Sequence, residues 1–289
     1  MGQGDVILKK VSNLFLYLVL AVICLIIIYP VFTAVILPLQ DIDELSRTFS
    51  PISDFKGDYV NVDYIPQYPT LNNFKELLIF TPEFYKVFWN SVMITGTILL
   101  FQVIVSVPAA WAFSRFKFKG RKLIFDLYVI FMLIPFQVTM LSQYLVLNKM
   151  QLMNTRLAII IPAIFSTFSV FLIYRGFSDI PEDVPNSARI DGANEFQVLW
   201  YIGLPLGKTG ILSCVVLSFL DLWNMVEQPL AFLKDKSLFP LSLYLPMIDT
   251  DNVQIMLAAA VIVLIPAAFV FIMGQDYLEQ GIIASALKE

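Results

Sequence analysis

The chain has 289 residues, of which 58% are hydrophobic and 15% charged, with a formal net charge of −4 and no histidine. A soluble domain carries charge on roughly a quarter of its residues, so the natural solvent of this chain is the bilayer. Without histidine it has no His-based triad, no HExxH zinc chemistry and no histidine proton relay of its own.

A helix rising about 1.5 Å per residue needs about 20 mostly apolar residues to cross some 30 Å of hydrocarbon. Six runs meet that length: 14–37, 88–113, 123–147, 157–174, 211–233 and 255–273. Lipid offers no partner to backbone N–H and C=O, so each run is expected to be a helix, and the fold class all-α and polytopic. One membrane domain over 14–289 is expected behind a short N-terminal stretch, 1–13.

The first run follows Lys9 and Lys10, as a secretory signal would. It is too long for a signal core and lacks a small-x-small cleavage site, so it reads as a retained anchor. Cys24 and Cys214 both fall inside apolar runs and suggest neither a disulfide framework nor a zinc site.

The loop over 40–87 carries eight acidic residues against four basic ones, Arg47, Lys56, Lys75 and Lys86. Its Tyr59, Tyr64, Pro66, Tyr68 and Pro69 suggest a partly ordered cap. After the second run comes the strongest basic cluster, Arg115, Lys117, Lys119, Arg121 and Lys122, which places that loop inside by the excess of Lys and Arg in cytoplasmic loops. Both termini and the loop after the fourth run then lie inside, while 40–87 and 234–252 lie outside. Asp126 is read as an interfacial ion-pair partner of Arg121 or Lys122.

The inner loop over 178–207 is long for a connector and has its own amphipathic pattern in Phe196, Val198, Leu199, Ile202 and Leu204. One or two short helices at the membrane surface are expected. Pro185 is read as a first helical position, with Gly192 breaking the helix before a second one over 193–201. Further along, Gly203 to Thr209 looks like a phosphate loop, but Ile202 stands where its first glycine belongs, so no nucleotide site is expected here.

Charge inside a membrane usually faces a cavity or a partner. In the fifth run Asp221, Asn224 and Gln228 recur at i, i+3 and i+7, hence on one helical face, with Trp223 and Glu227 adjoining. They either contact a solute, the tryptophan ring against a sugar face, or hydrogen-bond to neighbouring helices and a second subunit. Both readings stay open. Gln102, Gln137, Thr139 and Gln143 are weaker candidates of the same kind, read first as bundle hydrogen bonds.

In the inner loop Asn186-Ser187-Ala188, three residues, Gly192, nine residues, then Ile202-Gly203-Leu204-Pro205 match the spacing Glu-Ala-Ala, three, Gly, nine, Ile-x-Leu-Pro. The chain here resembles the permease subunits of ATP-binding-cassette importers, in the maltose-type carbohydrate branch. Asn90-Ser91, Ala112 to Arg121, Ile190 to Ala193, Trp223-Asn224 with Pro229, and Gln280-Gly281 look like the same branch. The resemblance implies the six-helix type I importer fold in a bacterial inner membrane, with both termini cytoplasmic. It also implies a second, homologous permease as heterodimer partner, two ATPase subunits that hold Mg-ATP, an extracytoplasmic solute-binding protein and a sugar or oligosaccharide as cargo. This chain itself would have no catalytic residue, cofactor or metal, and no nucleic-acid partner. Asn186, Ser187, Ala188, Arg189, Asp191, Gly192 and Ala193 would couple it to the ATPases, and Asp221, Trp223, Asn224, Glu227 and Gln228 would lie along the pathway. The signature's Glu and first Ala are replaced by Asn186 and Ser187, with Pro185 beside them, which puts any salt bridge from that Glu in doubt.

Overall fold

Helices satisfy their own backbone, and the computed structural model is built of them, with no strand among the described residues, 3–53, 63–247 and 252–286. Lys56 and Tyr59 of the acidic loop lie outside the described residues, and the side chains of Lys9, Lys10, Gln280 and Gly281 are not described. Four helices, Asn13–Leu39, Pro82–Arg115, Leu157–Ser178 and Val253–Leu278, are long and apolar enough to cross a membrane. Two bent pairs bring the number to six if each pair is one span.

The chain divides into two compact units, Met1–Pro82 with Ile248–Val263, and Glu83–Met247 with Leu264–Glu289. In the first, α1 (Gln3–Ile36) is apolar and exposed, Leu25 and Ile26 among others. After it α2 (Ile42–Ser53) opens the acidic loop. The loop is ordered by side chains that take up its backbone groups: the buried Asn73 amide donates to Pro38 O and Gln40 O, both at 2.8 Å. The Glu44 carboxylate accepts from the N–H groups of Gln67 and Tyr68 at 3.0 and 3.2 Å.

In the second unit, α3 (Pro82–Arg115) buries one face, with Ser91, Ile94, Ile98, Gln102 and Trp111 on it. The third apolar run is not one straight helix. It is α4 (Arg121–Met132) and α5 (Phe136–Lys149), bent by 100°. Pro135 has no N–H to continue the ladder and disfavours helical backbone at Ile134, so the chain breaks there. The fourth run forms α6 (Leu157–Ile164) and α7 (Thr167–Ser178), the latter capped by Ser166 Oγ, which accepts from Ser169 N at 3.2 Å. The inner loop forms α8 (Asp183–Ile190) and α9 (Glu195–Val198), the latter continuing through Gly203 to Leu206. Then α10 (Lys208–Trp223) starts after a 71° bend.

The fifth run also departs from expectation. Helix α10 stops at Trp223, and α11 (Glu227–Phe232) begins after a turn in which Asn224 Nδ2 donates back to Leu220 O at 2.9 Å. The expected i, i+3, i+7 register therefore does not persist past Trp223. A hydropathy window averages over such a break, because Met225 and Val226 offset Asn224 in the turn. The last long helix is α12 (Val253–Ala286).

The Asn90-Ser91 pair has a structural task. The Asn90 amide donates to Ser237 O and Phe239 O at 2.8 and 3.1 Å, its carbonyl oxygen accepts from Arg156 Nη2 at 2.7 Å, and Ser91 Oγ accepts from Leu241 N at 2.7 Å. Nearby, Asn154, at φ 58°, accepts from the N–H groups of Lys234 and Asp235, both at 2.8 Å. The Ser237 N–H in turn holds the Asp235 carboxyl below the usual range. The start of α3 and the loop over 233–241 are thus fastened by the buried Asn90 and Ser91 and by the exposed Asn154.

Helices α7 and α10 cross where glycine faces glycine. A β carbon on Gly176 would lie 2.9 Å from the Gly210 Cα, and one on Gly210 would lie 2.8 Å from the Gly176 Cα. Backbone cannot swing aside as a side chain can, so the pair sets the closest approach of the two helices. Gly176→Val is expected to destabilise the chain by about 2 kcal/mol through overpacking and to lower its melting temperature in detergent. An unchanged melt would mean that the helices do not cross there.

Candidate functional site

The inner loop grows from a stem whose outgoing carbonyls are held by an arginine. Arg115, the last residue of α3, lies with its guanidinium 5.4 Å over the Trp111 ring and donates from Nη2 to Phe177 O at 2.5 Å and Ile180 O at 2.8 Å. The Phe177 ring is fully buried and meets Trp111 edge to face at 5.1 Å. A β carbon on Gly207 would be 2.5 Å from the Phe177 ring, and one on Gly203 would be 2.8 Å from Trp111. The start and the end of the loop therefore converge on one aromatic pair.

The turn at the tip is specified by two capping motifs in succession. Gly192, at φ +89°, follows α8; its N–H donates to Arg189 O at 3.1 Å and the Ala193 N–H to Ala188 O at 3.0 Å. That is a Schellman motif, which needs the left-handed backbone that glycine adopts without a Cβ clash. Two residues later Asn194 caps α9: its Oδ1 accepts from Gln197 N and its N–H donates to Gln197 Oε1, both at 2.9 Å. The pair forms a capping box.

The sequence-predicted residues divide between two tasks. Ala188 and Ala193 pack inward against the core around Phe177 and Val198. Pro185 is also buried; it is the third residue of α8, not the first, because the helix begins at Asp183. Asn186, Ser187, Asp191 and Gly192 are exposed, and Ile190, at 86% exposure, is an uncovered apolar knob. Arg189 reaches sideways: Nε and Nη2 donate to the two Glu195 carboxylate oxygens at 2.7 and 3.2 Å, and Nη1 to Asn186 Oδ1 at 2.7 Å. The hydrogen bond to Glu195 holds the Arg189 guanidinium above its ordinary value. Asn186, standing where the signature has Glu, thus still accepts from Arg189, while Glu195 supplies the charge. Neither Glu195 nor Arg115 is a site residue by sequence reasoning. Beside Gly192, the Asn194…Gln197 spacing is a local signal of the second helix start.

A second feature lies where α4/α5 and α10/α11 break. A cavity of about 660 Å³ is lined by Asp221, Asn224, Glu227 and Gln228 together with Thr139, Gln143 and the rings of Phe131, Phe136, Phe165 and Phe168. Four of the five pathway candidates are therefore brought together. Trp223 is not on that wall: it is 3% exposed and stacks on Phe219 at 5.5 Å, with Phe88 edge-on at 6.1 Å. The rings on that wall are phenylalanines. Of the weaker candidates, Gln102 donates to Ala163 O within the bundle and Gln137 donates to Glu227.

Relatives share this architecture. The chain is 31% identical over 246 residues, 83% of it and 88% of the relative, to the arabinooligosaccharides transport system permease protein AraQ of Halalkalibacterium halodurans. It is 25% identical over 285 residues, 96% of it and 98% of the relative, to the sn-glycerol-3-phosphate transport system permease protein UgpE of Yersinia pestis. Its fold matches a chain of a bacterial ABC transporter involved in the import of the acidic polysaccharide alginate, with a TM-score of 0.79 over 96% of this chain and 98% of that one at 20% identity. Residues 102–284 match the family model of the binding-protein-dependent transport system inner membrane component. The chain belongs to that family: it is a multi-pass membrane permease subunit of a binding-protein-dependent ABC importer.

Proposed function

We propose that this permease carries a sugar or oligosaccharide, forming half of the translocation pathway beside a homologous second permease, and that the turn over 186–193 couples it to separate ATPase subunits. The carrying observation is the turn itself. A Schellman motif and a capping box fix its shape, Ala188 and Ala193 face its own stem, and Ile190 projects from it. Such a rigid knob can sit in the cleft of a partner and pass on that partner's motion. The phosphate-loop look-alike is spent otherwise: from Leu199 to Trp223 the backbone is helical, broken only at Gly207, so its N–H groups are not gathered around an anion. ATP hydrolysis, with its magnesium, accordingly falls to the partner ATPases, and solute delivery to an extracytoplasmic binding protein. The cytoplasm holds the turn and both termini of this inner-membrane subunit.

Ile190→Cys, in a chain whose Cys24 and Cys214 are replaced by alanine, is expected to form a disulfide with a single cysteine placed in the ATPase cleft, at a rate that changes with nucleotide. Absence of any cross-link from each position of 186–193 in turn would overturn the coupling reading.

A further inference from the structure

Family membership leaves the charge of the solute open, since relatives are named for neutral arabino-oligosaccharides and for a phosphate ester. The cavity wall bears on it. Among the described residues its lining includes two carboxylates, Asp221 and Glu227, and no lysine or arginine. Both carboxylates sit at the break in the fifth apolar run, Asp221 in the last turn of α10 and Glu227 as the first residue of α11.

Glu227 is also held in place. Gln137, just past the Pro135 break, donates from Nε2 to both carboxylate oxygens, at 2.6 and 2.7 Å. An arginine at this position would orient the carboxylate and cancel its charge. A neutral amide orients it and leaves the charge standing. The amides of Gln143 and Asn224 and the hydroxyl of Thr139 can donate as well as accept, so the charge of the wall is set by the two carboxylates, and the phenylalanine rings provide apolar faces. A neutral saccharide brings hydroxyl donors to the carboxylates and C–H faces to the rings. A uronate or a sugar phosphate brings negative charge to a wall that already carries two carboxylates.

We propose that Asp221 and the Gln137-positioned Glu227 form a charge filter, so that the solute of this permease is a neutral polyhydroxylated molecule and anionic sugars are disfavoured in the cavity. This rests on the reading of the cavity as part of the pathway.

The test reads the potential inside the cavity without needing the solute. In the assembled transporter, with Cys24 and Cys214 replaced by alanine, Gln143→Cys places a thiol on the wall; Thr139→Cys is the second position should the first not assemble. Two membrane-impermeant methanethiosulfonates of similar size, trimethylammonium-ethyl and sulfonatoethyl, are then compared. The cationic reagent is expected to be favoured on the order of tenfold more strongly than it is with a free thiol in solution, because two unneutralised charges act at short range. The preference should fall towards the free-thiol value in Asp221→Asn/Glu227→Gln, and reactivity should differ between the nucleotide-free and vanadate-trapped states. A thiol that reacts in a nucleotide-dependent way with no cationic preference overturns the filter and leaves the pathway standing. A thiol that reacts with neither reagent, or identically in both states, overturns the pathway reading and the filter with it.

Discussion

Gly192→Val is expected to lower ATP-driven uptake by the assembled transporter at least about tenfold while changing the amount of protein in the membrane far less. The reason lies in one dihedral angle. At φ +89° Gly192 occupies a region that a β-branched residue enters only at a cost of about 1 to 3 kcal/mol. No neighbour lies within 4 Å of a β carbon built there, so the penalty is one of backbone conformation and not of packing. The turn would escape it by abandoning the left-handed conformation, and would then lose the hydrogen bonds from Gly192 N and Ala193 N. Each 1.4 kcal/mol of such preference reduces the population of the native turn about tenfold. Because the turn is exposed and at the loop's tip, the helices of the stem should survive. Gly192→Ala, which adds a Cβ without γ branches, should fall between wild type and valine. Transport at the wild-type rate by Gly192→Val would show that the shape of the turn does not carry the coupling.

What could be read from the residues alone was what is encoded locally. Length and apolarity marked the spans, because crossing hydrocarbon imposes a minimum run on any helix. Gly192 marked the end of α8, because only a residue without a Cβ stops a helix in that way at little cost. The breaks at Pro135 and Asn224 were obscured. A hydropathy window averages over them, although Pro135 itself carries the information that its helix cannot continue. Trp223 was misplaced for a related reason: a helical register carried through residue 223 says which residues share a face, but not whether that face meets the cavity or the aromatic pair Phe88 and Phe219. Asp221, Asn224, Glu227 and Gln228 reach one cavity despite the broken register, because the turn between α10 and α11 delivers from two short elements what one long helix was expected to deliver. Glu195 and Arg115 were beyond reach of any local pattern. Their partners lie six and more than sixty residues away, across a turn or a helix crossing that must exist before they meet.

Arg115 carries the second large effect. Arg115→Ala is expected to destabilise the stem by about 3 kcal/mol, the usual worth of two hydrogen bonds from a charged donor in a partly buried site. The loss falls on Phe177 O and Ile180 O, the two carbonyls that lead out of α7 into the loop, and on the stacking over Trp111. Phe177 O retains the Ile180 N–H at 3.2 Å, so the helix end frays without collapsing. The mechanical consequence is a tip that is still folded on a stem that has become compliant. Such a stem transmits displacement poorly, and the expected signature is uncoupling: ATP hydrolysis by the complex continues while solute imported per ATP falls severalfold. Arg115→Lys preserves the charge but has neither the fork that spans two carbonyls nor the planar group that stacks on the indole, so it should recover only part of the loss. A merely structural role would lower the amount of assembled transporter and leave the ratio of import to hydrolysis unchanged. An unaltered ratio in Arg115→Ala, at normal assembly, would remove this arginine from the path by which the loop moves the helices.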